Sequence, residues 1–346
     1  MNWIFEPIAA PAADYYLQAQ QRQQQLTKPP GSLGVLEDCA ARLAAMQRSP
    51  APGIDRIHIS VFAADHGIAA EGVSAFPQAV TAEMVKNFAA GGAAVNVLAR
   101  HIGADFEVVD TGLLQPVALP NVIADRAGAG TANFVESPAM TAAQLEFALA
   151  AGRRAVARAL SNGAQLFVGG EMGIANTTSA SALAAACLGL PAVEITGAGT
   201  GLLPEQIGRK AAVIEAALQR HRPLLDTPLA ILQTLGGFEI AALAGAYIAA
   251  AQQGLPVLVD GFISSVAALL AARLNPGCTA WFFFGHCSAE MGHGRVLQAL
   301  QARPLLTMDM RLGEGSGAAL AVPILQMACR LHNEMATFAE AGVSAG

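Results

Sequence analysis

The sequence predicts an α/β protein built on a parallel sheet. Five short apolar runs have the composition of strands, each stops at a polar or glycine-containing turn, and helical periodicity follows. The runs are almost continuously apolar, as expected for strands covered on both faces. In sheets of this kind ligands bind beyond the carboxyl ends of the strands, so the polar strand ends should face one crevice.

Residues 1–50 are predicted to be helical and polar, with a glutamine-rich stretch at 13–26. Lys28-Pro29-Pro30-Gly31-Ser32-Leu33-Gly34 breaks that pattern, and Ser32 is a plausible cap for a helix running to about Met46. The first strand, 56–63, ends at Ala64-Asp65-His66-Gly67. The second, 106–109, ends at Asp110-Thr111-Gly112, and the third, 165–168, at Gly169-Gly170-Glu171. The fourth, 256–259, ends at Asp260-Gly261, and the fifth, 279–284, at Gly285-His286. Helices are expected over 78–101, 142–160, 176–188, 205–220, 239–252 and 264–274. Near the C-terminus, Met310-Arg311-Leu312-Gly313-Glu314-Gly315-Ser316-Gly317 leads directly into the apolar stretch 318–328, the pattern of a tight loop feeding a buried helix. Glycines let backbone N–H groups approach an anion. A carboxylate among them repels phosphate, so Glu314 is expected to act chemically beside a phosphate-bearing substrate.

Composition narrows the function. The 346 residues are 53% hydrophobic and only 13% charged, so much of the surface needs covering by packed helices and by a subunit interface. A net charge of −6 and the lack of a basic stripe argue against nucleic acid. No run is long enough to cross a membrane, and no basic start with an apolar signal segment is present. The five cysteines, Cys39, Cys187, Cys278, Cys287 and Cys329, are scattered without Cys-x-x-Cys spacing and suit a reducing cytoplasm.

Several clusters have both a chemical and a bland reading. Gly169 to Thr178 is a strand-to-helix junction that would admit a phosphate or ribose, with Asn176 or Thr177 as helix cap; the bland reading is a tight turn. Thr196-Gly197-Ala198-Gly199-Thr200-Gly201 is a glycine loop without the spacing of a dinucleotide fingerprint or a P-loop. Lys210 on the following helix would supply a point charge for phosphate or be a solvated lysine. His286, Glu290 and His293 have the i, i+4, i+7 spacing of zinc ligands on a helix, but Gly292 and Gly294 are poor helix formers. Strand-end polar groups, with Ser288 capping the next helix, are favoured there, and no metal is expected. Asp65 and His66 are adjacent, which favours turn satisfaction over a catalytic pair. Ser316 lies outside the Gly-x-Ser-x-Gly pattern of a hydrolase elbow.

Five segments, in this order and spacing, carry a resemblance: Lys28 to Gly34, Ala64 to Gly67, Gly170 to Thr178, Asp260-Gly261-Phe262, and Arg311 to Gly317. Together they resemble the nicotinate-nucleotide–dimethylbenzimidazole phosphoribosyltransferases, the CobT family, from about residue 15 to 335. The resemblance implies a Rossmann-like parallel sheet flanked by helices over 51–335, a small helical domain to which 1–50 contributes, and a tail at 336–346. It implies a homodimeric cytoplasmic enzyme without cofactor. The reaction implied is transfer of phosphoribose from nicotinate mononucleotide to 5,6-dimethylbenzimidazole, giving α-ribazole 5′-phosphate and nicotinate. Glu314 would be the general base. Gly173, Gly199, Lys210, Gly313 and Gly315 would hold the phosphate, Glu171 would lie near the ribose or nicotinate, and Ser288 would join the substrate-binding set. The family pattern often has serine where Phe76 stands and glutamine where Met84 stands. The more apolar pair fits stacking on a dimethylated ring and leaves other benzimidazoles, purines or phenolics open as acceptors. The same chemistry on another acceptor, a non-catalytic nucleotide-binding protein and a zinc hydrolase are the rival readings.

Overall fold

The structure, a computed structural model, describes residues 1–199 and 201–344. Thr200, part of the second glycine loop, and Ala345 and Gly346 of the tail lie outside the described residues.

Seven parallel strands form one sheet in the order β3-β2-β1-β4-β5-β6-β7. They are β1 Ile57–Ala64, β2 Asp105–Gly112, β3 Val122–Ala124, β4 Leu166–Met172, β5 Val257–Val259, β6 Phe282–Cys287 and β7 Pro304–Thr307. The order reverses direction between β1 and β4, which opens a crevice at their carboxyl ends. β1, β5 and most of β4 are buried, which accounts for their unbroken apolar character. The α/β class and the Rossmann-like parallel sheet are as predicted.

The helices in order are α1 Ala13–Gln25, α2 Val35–Gln47, α3 Ala79–Ala90, α4 Ala94–Ile102, α5 Ala142–Ser161, α6 Asn176–Leu188, α7 Pro204–His221, α8 Pro228–Leu235, α9 Phe238–Gln252, α10 Phe262–Leu274, α11 His293–Ala299, α12 Ser316–Glu334 and α13 Phe338–Ala341. Successive residues of β4 show which helix covers which face. Gly169 abuts Leu243 and Tyr247 of α9, and Gly170 abuts the backbone of Glu314 ahead of α12. The N-terminal helices lie behind α12. Arg22 Nε donates to the His332 carbonyl at 2.7 Å, and Thr27 N–H to the Ala336 carbonyl at 3.1 Å, so the two ends of the chain are tied together.

Several predicted elements differ in detail. The single helix expected over 78–101 is two, because Gly91 adopts φ +79 and ends α3 by donating to the Asn87 and Phe88 carbonyls. The fifth strand begins at Phe282, since residues Pro276–Trp281 form a 3-10 turn, so His286 lies within the strand. The edge strands β3 and β7 are too short for periodicity to reveal, and β7 begins at a proline. Ser32 does not cap α2, whose N-cap is Gly34 at φ +59.

The close packing of α5 on α9 depends on two glycines. A Cβ at Gly152 would overlap the Ala242 carbonyl, and one at Gly245 would overlap the Leu149 carbonyl. Gly152→Val should therefore destabilise the protein by about 3 kcal/mol or more, the upper range for overpacking a core. The midpoint of urea unfolding reads this directly, and an unchanged midpoint would refute it.

Candidate active site

The strand ends converge as expected. Glu171 closes β4, Asp260 follows β5 and His286 lies near the end of β6. Glu171 and His286 line a crevice of about 250 Å³ together with Phe76, Gly173, Asn176, Thr177, Gly199, Ser288, Glu290, Arg311 and Gly313, and Asp260 is not part of that lining.

Around Thr177 and Gly199 the crevice lining adjoins a buried cation. Thr177 stands in the first turn of α6, whose N-terminus faces the crevice. Lys210, on α7, is only 1% exposed, and its Nζ donates to Thr177 Oγ1 at 2.7 Å. It makes no ion pair within 4.0 Å among the described residues. Burial lowers its pKa to about 8, with Glu290 opposing the shift. Gly199 is needed beside it: φ is +53, and a Cβ there would press on Thr177 Oγ1 at 2.7 Å and Lys210 Nζ at 3.2 Å. Arg311 Nη1 donates to the Gly199 carbonyl at 3.2 Å, linking the two glycine-rich segments.

Glu171 brings an acidic group to the same lining. The Glu171 carboxyl accepts a hydrogen bond from Asn176 Nδ2, and a Cβ on Gly313 would collide with its Oε1. Burial, reinforced by Glu239 and Asp260, raises the Glu171 pKa to about 8, so it is largely protonated at neutral pH. Glu239 is fully buried and bonds His66 Nε2 at 2.6 Å. That imidazole fits because Gly173 and Gly237 have no side chains: a Cβ on either would meet the ring. Asp260 accepts from Gly315 N–H at 3.1 Å and Ala318 N–H at 2.8 Å. Glu314 is 5% exposed and has φ +65, a conformation seldom adopted by a residue with a side chain. Its carboxyl accepts from Val95 N–H, at the start of α4, and its Oε2 has no partner. Burial raises its pKa, with the nearby Asp260 adding to the shift and the Val95 hydrogen bond opposing it.

The predicted site residues therefore fall into groups. Glu171, Gly173, Gly199, Gly313, Ser288 and Phe76 line the crevice. Lys210 sits directly behind Gly199, and Glu314 directly follows Gly313 and faces α4. Met84 is half-buried on α3 and outside the crevice lining. Phe76 is 53% exposed. Gly315 lies outside that lining: its N–H is taken by Asp260 and its Cα packs on β4.

The capping expectations are also revised. Asn176 is the first helical residue of α6, behind Ala175 at φ +77, and its side chain turns to Glu171. Ser288 Oγ accepts from Glu290 N–H within the turn before α11, whose N-cap is Gly292. The zinc-like spacing does not share a helix face: His286 is in β6, Glu290 in the turn and His293 on α11. His293 Nδ1 accepts from Ser288 N–H at 2.8 Å, and its Nε2 lies 2.9 Å from Ser265 Oγ. Burial lowers its pKa to about 3, so it is a neutral structural imidazole. Asp65 serves its turn, with Oδ2 accepting from Leu114 N–H at 2.8 Å. Sequence reasoning missed Glu239, although an acid heading the apolar run 240–251 was a usable signal.

A crevice at the switch point of a parallel sheet, with a buried ammonium and buried carboxyls against its lining, defines a class: an α/β enzyme site for a phosphate-bearing small molecule. Comparisons agree. A phosphoribosyltransferase family model matches residues 8–343. The nicotinate-nucleotide–dimethylbenzimidazole phosphoribosyltransferase of Pseudomonas fluorescens is 58% identical over 344 residues, 99% of this chain and 98% of that one. The enzyme of the same name from Xanthomonas axonopodis pv. citri is 60% identical over 344 residues, 99% of each chain. The crystal structure of CobT from Thermus thermophilus superposes with a TM-score of 0.93 at 47% identity, covering 96% of this chain and all of that one. The chain belongs to the nicotinate-nucleotide–dimethylbenzimidazole phosphoribosyltransferase family.

Lys210 holds an anion only while protonated. Above pH 8 affinity for a phosphate monoester should fall, approaching tenfold per pH unit. Lys210→Met should remove both the affinity and this pH dependence. Titration calorimetry between pH 6.5 and 9.5 tests both statements; flat affinity in the native protein would show that Lys210 does not bind the anion.

Proposed function

We propose that the protein transfers phosphoribose from nicotinate mononucleotide to 5,6-dimethylbenzimidazole, giving α-ribazole 5′-phosphate and nicotinate, in assembly of the cobalamin lower ligand. The observation that carries this reading is one crevice lined both by Thr177 and Gly199, which adjoin the buried Lys210, and by Glu171 and Gly313, the residue before Glu314. Nicotinate mononucleotide carries its phosphate and its cationic pyridinium at opposite ends of a ribose.

In this reading Lys210, Thr177 and the α6 N-terminus bind the phosphate. Glu171 lies toward the ribose and nicotinate. An approaching cation favours its ionised form, so substrate binding draws a proton from it, and the carboxylate then stabilises positive charge at the anomeric carbon. The bond from that carbon to the pyridinium nitrogen breaks with its electron pair left on nicotinate. A benzimidazole ring nitrogen attacks from the opposite face, inverting β to α. The proton on the other ring nitrogen passes to Glu314 as general base. Phe76 at the mouth gives the acceptor end an apolar surface, while Met84 lies outside the lining on α3. Purines and phenolics remain the alternative acceptors, to be separated by competition with adenine and phenol followed by mass spectrometry.

The same reading makes the protein a cytoplasmic homodimer. A charged fraction of only 13%, the exposed Leu203, Met291, Met308 and Leu312, and five free cysteines support it. It also treats residues 1–50 as part of a small helical domain joined to the large domain 51–335, an arrangement supported by the ties of α1 to the end of α12.

Incubating the protein with both substrates should release nicotinate and form α-ribazole 5′-phosphate in equal amounts, as followed by chromatography. A non-catalytic binder would release none. Glu314→Gln should lower turnover by about 10²–10⁴-fold, the usual worth of a general base, and leave binding of nicotinate mononucleotide largely intact. Turnover near that of the native protein would remove Glu314 from this role. Binding of nicotinate mononucleotide near pH 7 should release protons, detected calorimetrically in buffers of different ionisation enthalpy, and Glu171→Gln should abolish the release.

A further inference from the structure

Asp260 is 1% exposed and lies at the end of β5, where it reaches under the loop that carries Glu314. Its Oδ2 accepts from Gly315 N–H at 3.1 Å and its Oδ1 from Ala318 N–H at 2.8 Å, and Gly261 N–H adds a further bond. The first two donors belong to the cap and first turn of α12, so Asp260 supplies from another strand the cap that α12 lacks in its own sequence. The capped segment is strained. Glu314 at φ +65 and Gly315 at φ +86 are consecutive left-handed residues, and Glu314 gains no relief from being glycine. Ser316 Oγ bonds the Gly313 carbonyl at 2.6 Å, but that contact is internal to the loop and cannot orient it relative to the sheet. His286 of β6 approaches Asp260 Oδ1 at 3.7 Å, and its ring occupies the space left by the absent side chain of Gly317.

The geometry points to Asp260 as the positioning residue for Glu314: its carboxylate, bonded to the N-terminus of α12, holds the left-handed Glu314 backbone and aims that side chain toward α4. This rests on the proposed transferase chemistry and adds to it a residue that acts without touching substrate. Asp260 also bears electrostatically on Glu314. The groups around Glu314 are the Val95 N–H from α4, Glu171 from β4 and Asp260 after β5, with His286 of β6 beside Asp260. Of these, Asp260 adds to the upward shift of the Glu314 pKa.

The test is Asp260→Asn, which keeps the shape and one carbonyl acceptor but removes the charge. Turnover should fall on the order of 10–100-fold, the cost of slight misplacement of a reacting group, while KM for nicotinate mononucleotide stays within about threefold. The acidic limb of the turnover–pH profile should move to lower pH, because the neighbour that raises the Glu314 pKa has lost its charge. Turnover within twofold of the native protein, or a fall in turnover with the limb unmoved, would overturn the assignment. Amide exchange in the native protein tests it without any variant. Gly315 and Ala318 N–H should exchange more slowly than the other loop amides, and rapid exchange at both would overturn it equally. Absence of nicotinate release by the native protein would instead count against the transferase reading.

Discussion

Four carboxyl groups, on Glu171, Glu239, Asp260 and Glu314, are buried at one edge of the sheet, and removing their charge from water is the constraint on which the site depends. An unpaired buried charge costs several kcal/mol, so each acid requires its own answer. Glu239 is paired with His66. Asp260 is bonded by the N-terminus of α12 and approached by His286. Glu171 retains a proton near neutrality. Glu314 accepts one N–H from α4 and has one oxygen with no partner.

These answers explain why glycines gather here. Gly173 and Gly237 admit the His66 ring, Gly317 admits that of His286, Gly313 makes room for Glu171, and Gly170 lets the Glu314 backbone lie against β4. The glycines of the Glu314 loop thus serve close approach between protein groups. In the other glycine-rich segment, Gly199 clears space beside Lys210 and Thr177.

Charge is arranged to match. Lys210 is held as an ammonium with a single hydroxyl partner, leaving donors for a ligand. Among the acids, Glu171 is largely protonated near neutrality, and Glu239 and Asp260 have hydrogen-bond partners. A site of this design binds a molecule with separated positive and negative ends more strongly than a bare phosphate ester, because both ends relieve a desolvation penalty already imposed by the fold.

The fold class, most strand ends and the crevice were legible in the sequence because a parallel sheet covered on both faces demands unbroken apolar strands, and polar groups can appear only where those strands stop. Glu171 and Glu314 stood out for the same reason, as acids amid glycines. Short edge strands such as β3 and β7 lack the length to show a period, and the break at Gly91 depends on one left-handed residue within an otherwise helical run. Sequence by itself determined which residues are polar at the sheet edge. Only the tertiary structure decided how they pair: His66 with Glu239, 173 positions apart, and Asp260 with the start of α12, more than 50 positions away. Such partnerships are set by which strand lies beside which, and the local periodicity of a chain has no record of that.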